Sequence, residues 1–179
     1  MDPANSSELK RLLKILVEES TSGTPVDGEV FNLLLKVMPQ PNVEFVVCRK
    51  RAEDIEVLLF QRPSDLPQES YPSQWHCPGT FFRTTDTSIA TAYERIRIGK
   101  MRGTTIKSIR FLDFQLYVDK TRGSVIVRLV HLVEIEGVPV TGQWFKILPT
   151  PDLPTNLVWD QPQLLRAAVM FDFRDPAII

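Results

Sequence analysis

The chain has 179 residues, of which 43% are hydrophobic and 24% charged, and its formal net charge is −1. This composition is typical of a single globular domain and lacks the basic excess of a nucleic-acid surface, so no nucleic-acid partner is expected. No stretch reaches the roughly 20 apolar residues that span a membrane, so no membrane partner is expected. The two cysteines, Cys48 and Cys77, match neither a zinc site nor a disulfide framework, and a reducing cytoplasm is predicted.

Residues 1–41 are predicted to form a helical extension. Ser6 or Ser7 is placed to cap a helix whose apolar residues recur at helical spacing. These residues are Leu9, Leu12, Leu13, Leu16 and Val17. A second helix is predicted from about Asp27 to Val37, and the prolines that follow stop it before the first strand. Two interpretations stay open: the helical pair packs on the chain's own sheet, which we favour, or it forms a homodimer interface or a lid.

Residues 42–179 are predicted to form one α+β domain. Two runs of β-branched and aromatic residues, Val43–Arg49 and Ile55–Arg62, indicate a hairpin with a polar turn. The later elements are predicted to be strands over 106–118, 124–136 and 143–147 and a helix over 161–170. His131 lies inside the apolar run of the second of these strands, where a hydrogen-bonded structural role is more common than catalysis.

A stretch with the layout of a functional motif runs from Trp75 to Arg102. It opens with Trp75-His-Cys-Pro-Gly-Thr80 and contains an isolated acid at Asp86. It closes with Glu94-Arg-Ile-Arg-Ile-Gly-Lys-Met-Arg102, in which four cations stand against one carboxylate. A helix with this charge repels a divalent cation and attracts an anion.

This stretch resembles the Nudix box, G-x5-E-x7-R-E-U-x-E-E-x-G-U, in which U is a bulky aliphatic residue. Its opening is similar to the family's W-x-x-P-G entry, and Ile55–Arg62 is similar to the strand before the box. Downstream, Asp152–Leu157 is similar to the family's L-P-x-N-L close, and the similarity covers residues 43–171. The resemblance implies a Nudix-like α/β/α sandwich with a mixed sheet, related to pyrophosphohydrolases of nucleoside diphosphates linked to another group.

The box is degenerate where the family binds metal. Aligned without a gap, its first glycine falls on Thr80, its first glutamate on Asp86, and its Arg-Glu pair on Glu94-Arg95 in reversed order. In the family, carboxylates on this helix hold Mg²⁺ or Mn²⁺, which neutralises the diphosphate and activates water. The Glu-Glu pair falls on Ile98-Gly99, which offers no side-chain oxygen, so metal-dependent hydrolysis is predicted to be weak or lost.

The candidate site residues form two sets. The candidate catalytic acids are Asp86 and Glu94, and they are also candidate ligands for Mg²⁺ or Mn²⁺, with Glu134 and Glu136 of a later strand, if the chain is active. The candidate ligand-binding residues are the helix cations, which suit phosphate: Arg95, Arg97, Lys100 and Arg102. Structural roles compete with these, because Asp86 with Thr87 suits an N-cap and Glu94 suits a pair with Arg97.

Three functional hypotheses follow. The first is a Nudix-like protein with weak or lost hydrolysis, which needs no cofactor and still binds a nucleoside diphosphate derivative or another phosphorylated small molecule. The second is an active hydrolase of acid anhydrides with an atypical metal site. The third is a non-catalytic dimerisation or scaffold module whose working surface is the N-terminal helices. We favour the first, because the helix that would hold the metal ion is cationic.

Overall fold

The computed structural model describes residues 39–66, 69–83, 85–121 and 123–172, together with five helical residues near the N-terminus, Arg11, Leu13, Lys14, Val17 and Glu18. The strands are β1 (Gln40–Arg51), β2 (Asp54–Gln61), β3 (Trp75–His76), β4 (Gly79–Phe81), β5 (Thr104–Asp119), β6 (Ser124–Gly137) and β7 (Gln143–Leu148). Between residues 39 and 172, the described helices are α1 (Ile89–Gly99) and α2 (Gln161–Asp172).

A mixed sheet organises the domain. Its main strand order is β3-β2-β1-β6-β5, while β4 pairs with β1 and β7 pairs with β2. Strand β1 runs parallel to β6, and the other pairings between these strands are antiparallel. Strand β5 therefore lies at one edge of the described sheet, next to the strand that pairs with β1.

The sheet separates two hydrophobic cores, because successive side chains of a strand point to opposite faces. The core under α1 contains, from β1 and the helix, Val43, Phe45, Val47, Ala92 and Ile96. The core under α2 contains, from β1 and the helix, Val46, Cys48, Leu164, Leu165 and Ala168. Helices thus cover both faces of one sheet, which confirms the predicted α+β sandwich.

The predicted hairpin and later strands are confirmed with modest shifts of their ends. Strand β1 begins at Gln40, two residues before the start proposed for the domain. The sequence did not predict the short strands β3 and β4, which bracket Cys77 and Pro78 and pair with β2 and β1. These short strands attach the loop before α1 to the centre of the sheet.

The N-terminal predictions fall mostly outside the described residues. The positions that the structure describes within the first predicted helix are helical, and Lys14 Nζ lies 3.9 Å from Glu18 Oε1, one turn along. The rest of that helix and the whole of the second, about Asp27 to Val37, lie outside the described residues. In the described part of the chain, no helix has both the length and the apolar character needed to cross a membrane.

Candidate functional site

Asp86 binds the loop before α1 to the helix. Its side chain is 2% exposed and accepts from the guanidinium of Arg95 and, at 2.8 Å, from the backbone N–H of Arg83. Arg95 also donates to the Thr80 hydroxyl and, at 3.1 Å, to the Phe81 carbonyl. A cation beside Asp86 would therefore meet the positive charge of Arg95 at close range.

Helix α1 begins three residues after Asp86, at Ile89. Ser88 is its N-cap, with an extended backbone, and its hydroxyl accepts from the Thr91 N–H at 3.4 Å. The predicted cap at Asp86 and Thr87 is wrong, because the carboxylate that would cap the helix is engaged by Arg95 instead. The helix ends where the Lys100 N–H donates to the Ile96 carbonyl at 2.8 Å.

The predicted pair between Glu94 and Arg97 is confirmed. Arg97 Nε donates to Glu94 Oε2 at 2.8 Å, and a terminal nitrogen donates to the other oxygen. The hydrogen bond from Arg97 lowers the pKa of Glu94, because it stabilises the carboxylate. Arg97 also donates to the Thr104 carbonyl at 3.3 Å, so this arginine links α1 to the start of β5.

The four candidate metal ligands do not converge. On β6, Glu134 accepts from the Ser108 hydroxyl at 3.2 Å, and Lys107 Nζ lies 3.8 Å from Glu136. No group of three or more His, Cys, Asp or Glu side chains that could hold a metal ion occurs among the residues that the structure describes. Since a hard divalent cation needs several converging oxygen ligands, these residues do not fit Mg²⁺ or Mn²⁺.

The four candidate phosphate-binding cations also diverge. Arg95 and Arg97 are held by acids of the loop and helix, and Arg102 is exposed. Of the four, Lys100 lines a cavity of about 230 Å³, which lies beside β4, the start of β1 and the segment that enters α2. The helix itself is therefore not a single cationic face.

A buried ionic network forms the floor of this cavity. Arg128, 3% exposed, places Nε 2.8 Å from Glu44 Oε2 and donates to Asp160 at 2.5 Å and to the Tyr117 hydroxyl. Gln161 joins the network by donating to Glu44 Oε1 at 2.7 Å. Arg128 is thus committed to protein partners, and its single charge is shared between the two acids of the floor.

Titration behaviour of the floor follows from this arrangement. Burial raises the pKa of Glu44, and the charge of Arg128 opposes that rise only in part. Burial alone would lower the pKa of Arg128, but the carboxylates of Glu44 and Asp160 outweigh it and raise the pKa. Arg128 therefore stays charged, and its charge limits the rise in the pKa of Glu44.

An aromatic wall stands at the edge of the cavity. Trp159 is 47% exposed, and its ring meets that of Tyr117 edge to face at 5.7 Å between centroids. Its Nε1 donates to the Tyr71 hydroxyl oxygen at 3.2 Å, and that hydroxyl donates to Asp119 at 2.5 Å. These bonds fix the orientation of the indole while leaving part of its surface open to solvent.

The cationic side of the cavity consists of Lys100 and Arg62. Burial, and then the charge of Arg62, lower the pKa of Lys100. Arg62 Nη1 donates to Glu69 at 2.9 Å, which balances part of its charge. Nearby on β1, the buried Oδ1 of Asn42 has no hydrogen-bond partner among the described residues. The cavity therefore offers two neighbouring cations and an open acceptor.

His131 has the structural role that its position in an apolar strand predicts. It is buried, and its Nε2 lies 2.7 Å from the Tyr93 hydroxyl of α1. Its ring also meets those of Phe45 and Phe111 edge to face. The histidine lies in the core under α1 and does not line the cavity.

Sequence reasoning missed the floor of the cavity, although a signal was present. Glu44 interrupts the apolar run of β1, and Arg128 interrupts that of β6. A charged residue inside an otherwise buried strand needs a buried partner of opposite sign. Two such residues in strands that pair would have predicted this ion pair.

No protein-family model matches the sequence, and neither does any curated protein. Solved structures do match. The NUDIX domain of Shewanella oneidensis NrtR, complexed with ADP ribose, has a TM-score of 0.54 and 18% identity over 74% of this chain and 88% of that one. A MutT NUDIX hydrolase from Burkholderia pseudomallei has a TM-score of 0.55 and 18% identity over 73% and 98%.

A third similar structure is the C-terminal domain of mouse MUTYH, solved in complex with human PCNA. It has a TM-score of 0.52 and 12% identity over 73% of this chain and 88% of that one. Likeness at these identities shows the fold, which is the Nudix fold, and confirms the resemblance. The function has to be argued from the site.

Proposed function

We propose that this Nudix-fold chain binds a nucleotide-like or otherwise phosphorylated small molecule in the cavity beside Lys100, without a divalent metal ion. The observation that carries the proposal is the pairing of Lys100 with Arg62 on one side of a cleft. Arg128 pairs with both floor acids of that cleft, Glu44 and Asp160, and burial raises the pKa of Glu44, which limits the negative charge of the floor.

Two like charges held close together in a partly buried cleft are unfavourable until an anion joins them. Burial, and then the charge of Arg62, disfavour the charged form of Lys100 and lower its pKa, while Glu69 opposes this change. A phosphate group would relieve both effects by placing negative charge between the two cations. Protein cations would thus do the neutralising that a metal ion does in the family.

The rest of the cavity suits the non-phosphate part of a nucleotide. The open surface of Trp159 offers a planar apolar wall, and Asn42 Oδ1 offers an acceptor for a ligand N–H or O–H group. The NrtR domain named above was solved with ADP ribose, which combines phosphates, ribose units and a base. ADP ribose is therefore the first probe.

In this proposal the acids of the box are structural. Asp86 is engaged by Arg95 and Glu94 by Arg97, so metal-dependent hydrolysis is weak or lost. The cytoplasmic location and the absence of a nucleic-acid partner stay predictions from the sequence, as does the possible homodimer.

The proposal is tested by calorimetric titration of the full chain with ADP ribose and with pyrophosphate, in buffer containing EDTA. We expect heat from both ligands. Lys100→Gln should weaken ADP ribose binding about 10-fold or more, since a hydrogen bond to a charged group contributes about 1.5–3 kcal/mol. The matched control is Lys50→Gln, which removes the same charge at an exposed position of β1 outside the cavity.

Two results would contradict the proposal. Heat and turnover that both require Mg²⁺ or Mn²⁺ would favour an active hydrolase with an atypical metal site. No heat from either ligand would favour the scaffold hypothesis. Arg102→Gln tests whether phosphate binds in the cavity or on the helix face, because Arg102 does not line the cavity. If phosphate binds in the cavity, this substitution should weaken binding much less than Lys100→Gln. If the helix face binds phosphate, the two substitutions should weaken binding equally.

A further inference from the structure

Among the described residues, a strip of apolar side chains on the α1 face of the sheet is exposed. It consists of Phe114, Leu116 and Val118 of β5 and Val125 of β6, and we name it the apolar ledge. Leu116 is 67% exposed and Phe114 57%. Phe114 pairs with Leu129, which packs in the core under α1, and cross-strand partners point to the same face. The ledge therefore continues the sheet face that α1 covers.

The ledge has the pattern of a buried surface. Its three β5 residues alternate with Gln115, Tyr117 and Asp119, as expected for a strand with one face against a core. Strand β5 is also at the edge of the described sheet, where an exposed apolar strand invites association. An exposed apolar strip with this pattern is typical of a surface that another element or a partner covers.

Strand β1 begins level with the ledge. In the parallel pairing of β1 with β6, Pro41 lies opposite Val127, and Leu116 of β5 lies opposite the same Val127. Pro41 is thus level with Leu116 and two strands away, about 10 Å at the usual strand spacing. Strand β1 begins one residue before Pro41, at Gln40, which lies opposite Ile126.

The second predicted helix, residues 27–37, has the right size and composition to cover this surface. Six of its eleven residues are apolar: Val30, Phe31, Leu33, Leu34, Leu35 and Val37. Eleven helical residues extend about 16 Å, and the ledge from Phe114 to Val118 extends about 14 Å. A helix about 10 Å wide covers two neighbouring strands.

The connection to β1 leaves this helix little freedom. Two residues, Met38 and Pro39, separate it from Gln40, and two extended residues span about 7 Å. We propose that residues 27–37 form a helix that covers the apolar ledge of the same chain. The proposal does not depend on the ligand at Lys100.

Disulfide trapping in the full chain tests this placement. The variant Leu34→Cys/Leu116→Cys should form a disulfide within one chain on mild oxidation, because its sulfur atoms would be brought into bonding range. The control pair is Leu34→Cys/Val140→Cys. Val140, 69% exposed, matches the exposure of Leu116 but lies beside Arg102, away from the ledge. The native Cys48 and Cys77 are buried and do not compete.

Mass spectrometry without reductant separates the outcomes. We expect a monomeric product, formed about tenfold faster in the test pair than in the control pair. We also expect the single variant Leu116→Cys to react with maleimide more slowly than Val140→Cys, provided that both give a wild-type circular dichroism spectrum. A disulfide between two chains would overturn the proposal in favour of a second copy. Equal maleimide rates would overturn it in favour of an open ledge that awaits another partner.

Discussion

Removing Arg128 should destabilise the fold more than removing any surface cation. The substitution Arg128→Met keeps much of the length of the side chain but deletes the charge between Glu44 and Asp160. Those two carboxylates are 6% and 8% exposed at the side chain, and Arg128 itself 4%. Both acids would then face each other in a buried floor without a cation.

The size of the effect follows from that burial. Breaking a buried ion pair by removing one partner costs about 3–5 kcal/mol, because the remaining charge stays desolvated. A chain of this length loses about 2–4 °C of melting temperature for each kcal/mol, so the expected loss is about 6–20 °C. That is a large part of the roughly 5–15 kcal/mol by which domains are stable.

The effect should depend on pH with a definite sign. Because the pKa of Glu44 is raised above 4.5 in the folded protein, the folded state binds this proton more tightly than the unfolded state. Its contribution to stability is present below pH 4.5 and is lost as the pH rises through the raised pKa. Arg128 limits this rise, so the difference between wild type and Arg128→Met should grow as the pH increases above 4.5.

Chemical denaturation followed by circular dichroism at several pH values measures this difference. The control is Lys107→Met, which removes a cation whose partner, Glu136, is exposed and 3.8 Å away; it should change the free energy of unfolding by less than about 1 kcal/mol. An Arg128→Met variant that is as stable as this control at neutral pH would refute the account of the floor network.

Three further predictions concern single positions. Gly142→Ala should lower the free energy of unfolding by about 1–3 kcal/mol, because φ is +91° there and a Cβ would lie 2.8 Å from the Phe60 ring. The control is Gly99→Ala, whose Cβ would meet nothing within 4 Å, and it should not lower the melting temperature in the same thermal scan. His131→Gln should reduce the loss of stability below pH 6.5, because burial lowers the pKa of His131 and the unfolded chain takes up the proton first; denaturation at a series of pH values measures this. Asp86→Asn should lower the free energy of unfolding by about 1–3 kcal/mol, because it weakens the bond to Arg95. In calorimetric titration with Mg²⁺, this variant and the wild type should give the same heat.

Most of the fold could be predicted because the apolar residues of its longer strands and helices recur at the spacing of that element. The run from Val43 to Arg49 alternates between two cores, and α1 places Ala92 and Ile96 at helical spacing toward one of them. Strands β3 and β4 were not predicted because a strand of two or three residues is too short to show an alternation of apolar and polar side chains. Their pairing depends on neighbours that the sequence places far away.

The site was harder to predict because its parts are distant in sequence. Gln161 donates to Glu44 across 117 positions, and Arg128 reaches both Glu44 and Asp160. The helix cations were visible in the sequence, but their directions were not: Arg95 turns toward the loop, and Lys100, at the end of the helix, reaches the cavity. Side-chain direction depends on where a helix begins and ends, and those limits are the least certain part of a sequence-based prediction.

The two acids of the box are engaged in ion pairs within the protein. Asp86 and Glu94 each bind an arginine of the same helix, so the charge of these acids is satisfied within the protein and the loop keeps its shape. In the proposed function, Lys100 and Arg62, which both line the cavity, balance the charge of the phosphorylated ligand. Because that neutralisation is electrostatic and partly exposed, binding should weaken as salt is raised, whereas coordination to a metal ion would respond to chelators instead.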